Sequence, residues 1–504
     1  MDIFGGLLSG FHNVFQPQVL FYCFVGVFIG TLVGVLPGIG PVGAMSILLP
    51  STFGLPPATS IIMLAGIYYG AQYGGSTTSI LVNIPGEASS VVTCIDGYQM
   101  AKRGRAGPAL GISAFGSFIG GTFSIIALMF LVYPLAGVAV KFGPPEFFAL
   151  MCLAMTVLTY LTSGSVINAV FMVLLGLILG VVGMDPISGM PRFVFGCTTL
   201  LDGVGMVPVV MGLFGIAEVL TNLDESQGKV MFQTRVKDLF PNLQDWKRSI
   251  GPIWRASVMG FFLGILPGGG AAMSTFLSYT TEKRLSKHPE EFGHGAIEGV
   301  AGPETANNAA AGGAFVPLLA LGIPPTAIMA LLLGALVIHG VTPGPLLLSQ
   351  HPEIFWGVVA SMYIGNVMLL GLNLPLIGMW VKVLKIPYRL LMPLILLCCL
   401  IGSYAENESG MSIVIMVIFG VVGYILRKFH FESAPLILAF ILGPIMETNF
   451  RNSLIMSDGS FAIFVTKPIS LILLIISALL FMSTGFSTYR KTKTKVIDES
   501  ESEG

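Results

Sequence analysis

Residues 34–46 read GVLPGIGPVGAMS, and residues 264–274 read GILPGGGAAMS. Both phrases interrupt apolar sequence with Leu-Pro-Gly. Proline and glycine end helices, and a broken helix in lipid leaves backbone groups unsatisfied unless protein or a cavity receives them. A chain that writes this costly feature twice is expected to use it. The pattern predicts a helical hairpin or discontinuous helix with an unwound tip at Pro37, Gly38, Ile39 and Gly40, and a second at Pro267, Gly268, Gly269 and Gly270. Helix N-termini at such a tip offer N–H donors and partial positive charge to an anion, and free carbonyls can hold a cation. The competing reading is that the glycines only let helices pack closely. A second copy in an equivalent place favours the first. Gly38 to Gly43 also fits G-x-G-x-x-G, but the second copy breaks that pattern and no strand precedes it, so a dinucleotide site is rejected.

The surrounding composition fixes the medium. The chain has 504 residues, of which 54% are hydrophobic and 10% charged; mean hydropathy is +0.85. Soluble proteins carry about 25% charged residues. Apolar runs at 166–182, 411–426 and 469–482 approach or reach bilayer length. The chain therefore reads as an all-α polytopic membrane protein. A net charge of −1 and the lack of a basic stripe argue against nucleic acid. The six cysteines form no CxxC pair and read as small buried hydrophobes. The N-terminus lacks the basic n-region of a cleaved signal peptide, so residues 1–18 are expected to lie along the interface.

A polar stretch at 223–250 separates two related halves, read as 19–222 and 251–467. FGSFIGG (115–121) sits where MYIGNVM (362–368) sits. KFGPPEFF (141–148) parallels KIPYRLL (385–391), and PRFVFG (191–196) parallels PLILAF (435–440). Basic residues swap between the halves: Lys102, Arg103 and Arg105 crowd one loop of the first half, whereas Lys382, Lys385 and Arg389 crowd a different loop of the second. Because short cytoplasmic loops are enriched in Lys and Arg, the swap predicts inverted repeats, each with about five crossings and one segment that enters and returns. A last helix at 468–489 would bring the tail, 490–504, into the cytoplasm as a disordered segment.

Each half carries a second, more polar phrase. In YYGAQYGGSTTSILVNIPGEASS (68–90), a Gly pair precedes Ser76, Thr77, Thr78 and Ser79, then Asn83 and Pro85. Its counterpart, AGPETANNAAAGGAFVPLLALGIPPTA (301–327), holds Glu304, Asn307 and Asn308 and ends near Pro324. The first is read as a hydroxyl-rich helix break. Neutral amides and hydroxyls suit a carboxylate ligand, because they donate hydrogen bonds without trapping it in an ion pair. Bland alternatives are helix–helix hydrogen bonds for the hydroxyls and a helix cap for Glu304. Glu146, Asp185, Asp202, Glu218, Glu406, Glu408 and Glu447 stand near Gly/Pro turns and read as membrane ends. No G-x-x-x-x-G-K-[ST], H-E-x-x-H or G-x-S-x-G occurs, so ATPase, zinc-protease and serine-hydrolase readings fall away and an enzyme is not expected.

GVLPGIGPVGAMSILLP, YGGSTTSILVNIPGEASSVVTCIDGYQMAKRGRAGPAL, GILPGGGAAMSTFLSYTTEK and FGHGAIEGVAGPETANNAAAGGAFVPLLALGIPPTA closely resemble the large membrane subunit of the bacterial tripartite tricarboxylate transporters, the TctA family. The resemblance covers nearly the whole chain. It implies a cation-gradient-driven carboxylate importer of the inner membrane, with citrate as one candidate substrate. It also implies a small membrane subunit and a periplasmic binding protein as partners, and an elevator-like motion of one bundle against a scaffold. The family pattern falls on Gly38, Gly40, Ser76–Thr78, Asn83, Pro85, Gly268–Gly270, Glu304, Asn307, Asn308 and Pro324. Ser76, Thr77, Asn307 and Asn308 are the expected anion donors, and carbonyls at Gly38–Gly40 and Gly268–Gly270 the expected Na⁺ ligands. No cofactor beyond such a coupling ion is expected. The rival readings are a passive channel and a non-transporting scaffold or receptor subunit.

Overall fold

The computed structural model describes residues 3–36, 40–83, 85–139, 142–161, 166–185, 187–224, 239–266, 270–383, 388–407 and 409–482. They are overwhelmingly helical. Among the described residues, four helices are long and apolar enough to cross a bilayer, at Pro17–Val35, Ala106–Gly137, Pro352–Asn373 and Gly410–Lys428. Shorter apolar helices accompany them. Contacts divide the chain into two units, one from 1–140 with 206–424, the other from 141–205 with 425–504. Both units draw on both halves of the sequence.

In the first unit, α1 (Ile3–Val14) leads into α2 (Pro17–Val35), which Pro17 opens at its first turn, where a missing N–H costs nothing. Then come α3 (Gly40–Leu48), α4 (Pro57–Val82), α5 (Val91–Lys102) and α6 (Ala106–Ala139). Helices α2 and α4 pack through glycines spaced four apart, Gly26, Gly30 and Gly34 against Gly66, Gly70 and Gly74. A Cβ on Gly30 would stand 2.4 Å from the Ile67 carbonyl oxygen. Backbones approach this closely only where side chains are absent, and in lipid such packing takes over from the hydrophobic effect as the glue.

The second unit holds α7 (Pro144–Leu161) and α8 (Val166–Gly180), followed by a two-residue hairpin, β1 (Gly183–Met184) and β2 (Pro191–Arg192), with Gly183 opposite Arg192. The chain returns to the first unit through α9 (Met206–Val210), a π-helical turn at Met211–Ile216, and α10 (Ala217–Asp224).

The second half continues the helical series. It has α11 (Leu243–Ile265), α12 (Gly270–Leu285), α13 (Glu298–Gly313), α14 (Phe315–Leu321), α15 (Ala327–Ile338), α16 (Leu347–Gln350), α17 (Pro352–Asn373), α18 (Ile377–Val383), α19 (Tyr388–Asn407) and α20 (Gly410–Lys428). Helices α11 and α13 meet as α2 and α4 do: a Cβ on Gly264 would lie 2.2 Å from the Ala310 carbonyl oxygen. The related segments of α6 and α17 touch directly, because Asn366 Nδ2 donates to the Phe118 carbonyl at 2.9 Å and to Thr122 Oγ1 at 3.0 Å.

The second unit closes with α21 (Ala434–Met456), α22 (Ile463–Thr466) and α23 (Pro468–Met482). There α21 packs on α7 and α8, whereas in the first unit α19 packs on the π turn and α10. Each half thus lends its last helix to the other half's pair. One matched pair of sequences does not hold. Residues 191–196 are a strand and turn, whereas 435–440 open α21. Phe193 and Phe195 take left-handed φ values of 53° and 48° there, which no helix tolerates.

In the second unit Arg192 grips Glu447 with Nη1 to Oε1 at 2.6 Å and Nη2 to Oε2 at 3.2 Å, while Arg451 Nη1 reaches Asp185 at 2.7 Å. Asp185 and Glu447, read from sequence as membrane-end markers, are therefore one ion-pair network that ties the hairpin to α21. The Ser188 hydroxyl and the Arg451 guanidinium hold the Asp185 carboxyl well below the usual carboxylate range.

Candidate functional site

The polar phrases of the two halves meet inside the first unit. Glu304 stands in the middle of α13, 1% exposed. Its carboxylate accepts hydrogen bonds from the hydroxyls of Ser76 on α4, Thr93 on α5 and, at 3.1 Å, Ser113 on α6. Four helices from both halves thus converge on one carboxylate. Taking a carboxylate out of water costs several kcal/mol, and hydroxyl donors recover part of it. Among the described residues no Lys, Arg or His forms an ion pair with Glu304 or Glu87, although ion pairs are numerous elsewhere in the chain.

One turn along α13, Asn307 donates Nδ2 to Glu87 Oε1 at 3.3 Å. Glu87 opens the short 3₁₀ turn Ala88–Ser90 that links α4 to α5. Its carboxylate lies against the backbone of α4 at Gly75, where a Cβ would come within 2.6 Å of Oε2. Ser89 Oγ bridges Glu87 Oε1 at 3.2 Å and Gln72 Oε1 at 3.1 Å. The second glycine of the Gly74-Gly75 pair therefore makes room for a carboxylate, while the first faces α2.

Asn308, the next residue, points elsewhere. With Tyr69, Tyr73, Phe315 and Asn366 it lines a small cavity of about 20 Å³. That is space for one or two waters. Tyr73 donates its hydroxyl to Asn366 Oδ1 at 2.7 Å. The pair Asn307/Asn308, which the sequence offers as one motif, thus serves two adjacent environments.

Glycine and hydroxyl residues do not break α4 where the sequence suggested. The helix runs unbroken through Gly74, Gly75, Ser76, Thr77, Thr78 and Ser79 to Val82. Close packing on α2 explains the glycines. Ser79 Oγ donates to the Gly75 carbonyl at 3.0 Å within α4, and Thr78 Oγ1 donates at 2.7 Å to the Val35 carbonyl, the last of α2. The break comes later, at Asn83, whose φ of 61° caps the helix in the left-handed region, with Pro85 just beyond. Asn83 is exposed at that end. The second half does the same at Gly322, φ 72°, followed by Pro324. Thr77 is buried within α4.

The tips of the first phrases are only partly in view. Helix α2 ends at Val35 and α3 begins at Gly40; α11 ends at Ile265 and α12 begins at Gly270. Gly40 and Gly270 both have positive φ, 66° and 47°. Pro37, Gly38, Ile39, Pro267, Gly268 and Gly269 lie outside the described residues, and the expected cation ligands fall mainly there.

Sequence reasoning missed Glu87, Thr93, Ser113 and Asp96. The last is fully buried on α5. Its Oδ1 accepts from the backbone N–H groups of Gly293, Gly295 and Ala296 at 2.9, 2.6 and 3.0 Å, and its Oδ2 from the Tyr279 hydroxyl at 2.9 Å. It thereby pins the loop that feeds α13. Arg248 on α11 holds the same loop at Glu291 and the start of α13 at Glu298, the latter through Nε at 2.7 Å. Only Glu87 carried a sequence signal, an acid directly after the Pro-Gly of the second phrase.

The family model described as "Tripartite tricarboxylate transporter TctA family" matches residues 20–438. The chain is 49% identical over 501 residues, 99% of its length, to the whole of an Agrobacterium vitis protein described as "Uncharacterized 52.8 kDa protein in TAR-I ttuC' 3'region". Over 215 residues, 43% of its length, it is 53% identical to 89% of a second protein of that organism, from the TAR-II ttuC' 3' region. No solved structure matches. The chain belongs to the tripartite tricarboxylate transporter TctA family, and is a multi-pass membrane component of a three-part transport system that also has a small membrane subunit and a periplasmic binding protein.

Proposed function

We propose that this chain is the permease of that system. It takes a tri- or dicarboxylate, such as citrate, from the periplasmic protein and carries it across the bacterial inner membrane, driven by a Na⁺ or H⁺ gradient. The observation that carries this reading is the buried convergence of α4, α5, α6 and α13 on Glu304, built from the polar phrases of both halves of the chain. Secondary transporters concentrate substrate and ion sites at such repeat interfaces, beside interrupted helices. The halves are inverted, the C-terminus is cytoplasmic, and one bundle moves against the other in an elevator-like step.

In the arrangement described, the Ser76 hydroxyl is committed to Glu304 and the neighbouring cavity is too small for a tricarboxylate. Substrate entry therefore requires α4 and α13 to move relative to α6 and α17. That motion frees the Ser76 hydroxyl, and Ser76, Thr77, Asn307 and Asn308 then supply donors to the substrate carboxylates, while Gly40 and Gly270 open the helices that face it. Asn307→Ala tests the assignment. Uptake into proteoliposomes is lost while the complex with the small subunit assembles normally; unchanged uptake removes Asn307 from the site.

A further inference from the structure

Two oxygens beside Glu304 lack a partner. Glu87 Oε1 is used by Ser89 and Asn307, but Glu87 Oε2 is buried and accepts no hydrogen bond. Asn307, 1% exposed, uses Nδ2 on Glu87 while its Oδ1 is likewise buried and unpartnered. Exchanging the amide's N and O does not cure this, because it sets an amide oxygen against a carboxylate oxygen and two acceptors cannot satisfy one another. A third oxygen is at hand. Ser89 Oγ spends its single proton on Gln72 Oε1 or Glu87 Oε1 and keeps its lone pairs. Three hydroxyls serve the Glu304 carboxylate, whereas the Glu87 carboxylate is served at Oε1 alone.

We propose that Glu87 Oε2 and Asn307 Oδ1 are ligands of a Na⁺ ion, with Ser89 Oγ, which reaches the other oxygen of the same carboxylate at 3.2 Å, as a neutral oxygen of the set. One carboxylate with neutral amide and hydroxyl oxygens suits a hard, singly charged cation. Divalent Ca²⁺ and Mg²⁺ call for more charged oxygens or for retained waters. A proton would serve one oxygen pair and leave the hydroxyl oxygen idle. The site joins the turn after α4 to the centre of α13, so an ion bound there ties the polar phrases of the two halves together. Its role as the coupling ion's seat rests on the transport reading; the binding itself does not.

The test is equilibrium binding of ²²Na⁺ to the purified full chain in detergent, without carboxylate. Wild type binds Na⁺ saturably. Glu87→Gln, which keeps the shape and removes the charge, and Asn307→Ala each weaken binding at least about tenfold, since charge count and ligand number set cation affinity. Glu447→Gln, in the other unit, binds as wild type does. Wild-type binding by monodisperse Glu87→Gln and Asn307→Ala proteins overturns the site, as does a wild-type chain with no saturable Na⁺ binding at neutral or alkaline pH. The two readings fail separately. Intact, Glu87-dependent binding without carboxylate uptake removes the transport reading alone. Na⁺-driven uptake that survives Glu87→Gln removes the site alone.

Discussion

Asp96→Asn isolates the charge that holds the loop before α13. The change keeps an acceptor oxygen in place for the backbone N–H groups of Gly293, Gly295 and Ala296 but removes the negative charge they share. Hydrogen bonds to a charged group contribute about 1.5–3 kcal/mol, against about 0.5–1.5 for neutral ones, so each of the three weakens by roughly 1 kcal/mol. The loop should then open about 3 kcal/mol more readily, and at about 1.4 kcal/mol per decade its amides exchange roughly two orders of magnitude faster. Asp96→Ala goes further, since it strands the donors altogether. Hydrogen exchange read by mass spectrometry over residues 289–300 measures this directly. The order should be wild type slowest, Asn faster, Ala fastest. Exchange in the Asn protein unchanged from wild type would refute the claim that one carboxylate pins this loop.

Gly30→Leu should prevent stable assembly of α2 with α4, because even a Cβ there meets the Ile67 carbonyl at 2.4 Å; a monodisperse, wild-type-like preparation would count against the packing described. Arg451→Ala should destabilise the second unit in a pH-dependent way. The Asp185 carboxyl is held below its ordinary value, so its contribution is fully present above the unfolded pKa of about 3.9 and is lost as pH falls further. The stability gap between wild type and Arg451→Ala is therefore constant from neutral pH down to that value and narrows below it. A gap that instead widens in acid would contradict the ion pair.

Part of this architecture was legible in the chain. The composition marks the apolar helices, and the Leu-Pro-Gly phrases mark the stops at Val35 and Ile265. What failed was the reading of Gly74-Gly75 as a break. Glycine in lipid serves close backbone approach as well as bending, and only the partner, α2 for Gly74 and the Glu87 carboxylate for Gly75, tells the two apart. Glu304, Asn307 and Ser76 could be singled out because polar groups in apolar sequence need a reason. Their connections could not. Thr93 and Ser113 are ordinary hydroxyls until the fold sets them against Glu304, and Asp96 gave no local signal because the N–H groups it binds lie far along the chain. Local pattern reveals where a helix pays for polarity; long-range pairing decides what the polarity does.

The central claim is that this chain moves a carboxylate against its gradient at the expense of a cation gradient. Proteoliposomes holding the chain with its small membrane partner, with the binding protein outside, can be given external radiolabelled citrate with competing di- and tricarboxylates under an inward Na⁺ gradient or a pH gradient alone. The account predicts accumulation above the external concentration under the Na⁺ gradient or the pH gradient, abolished by Asn307→Ala. Equilibration without accumulation would make the chain a channel, and no uptake of any carboxylate by an intact complex would contradict the account.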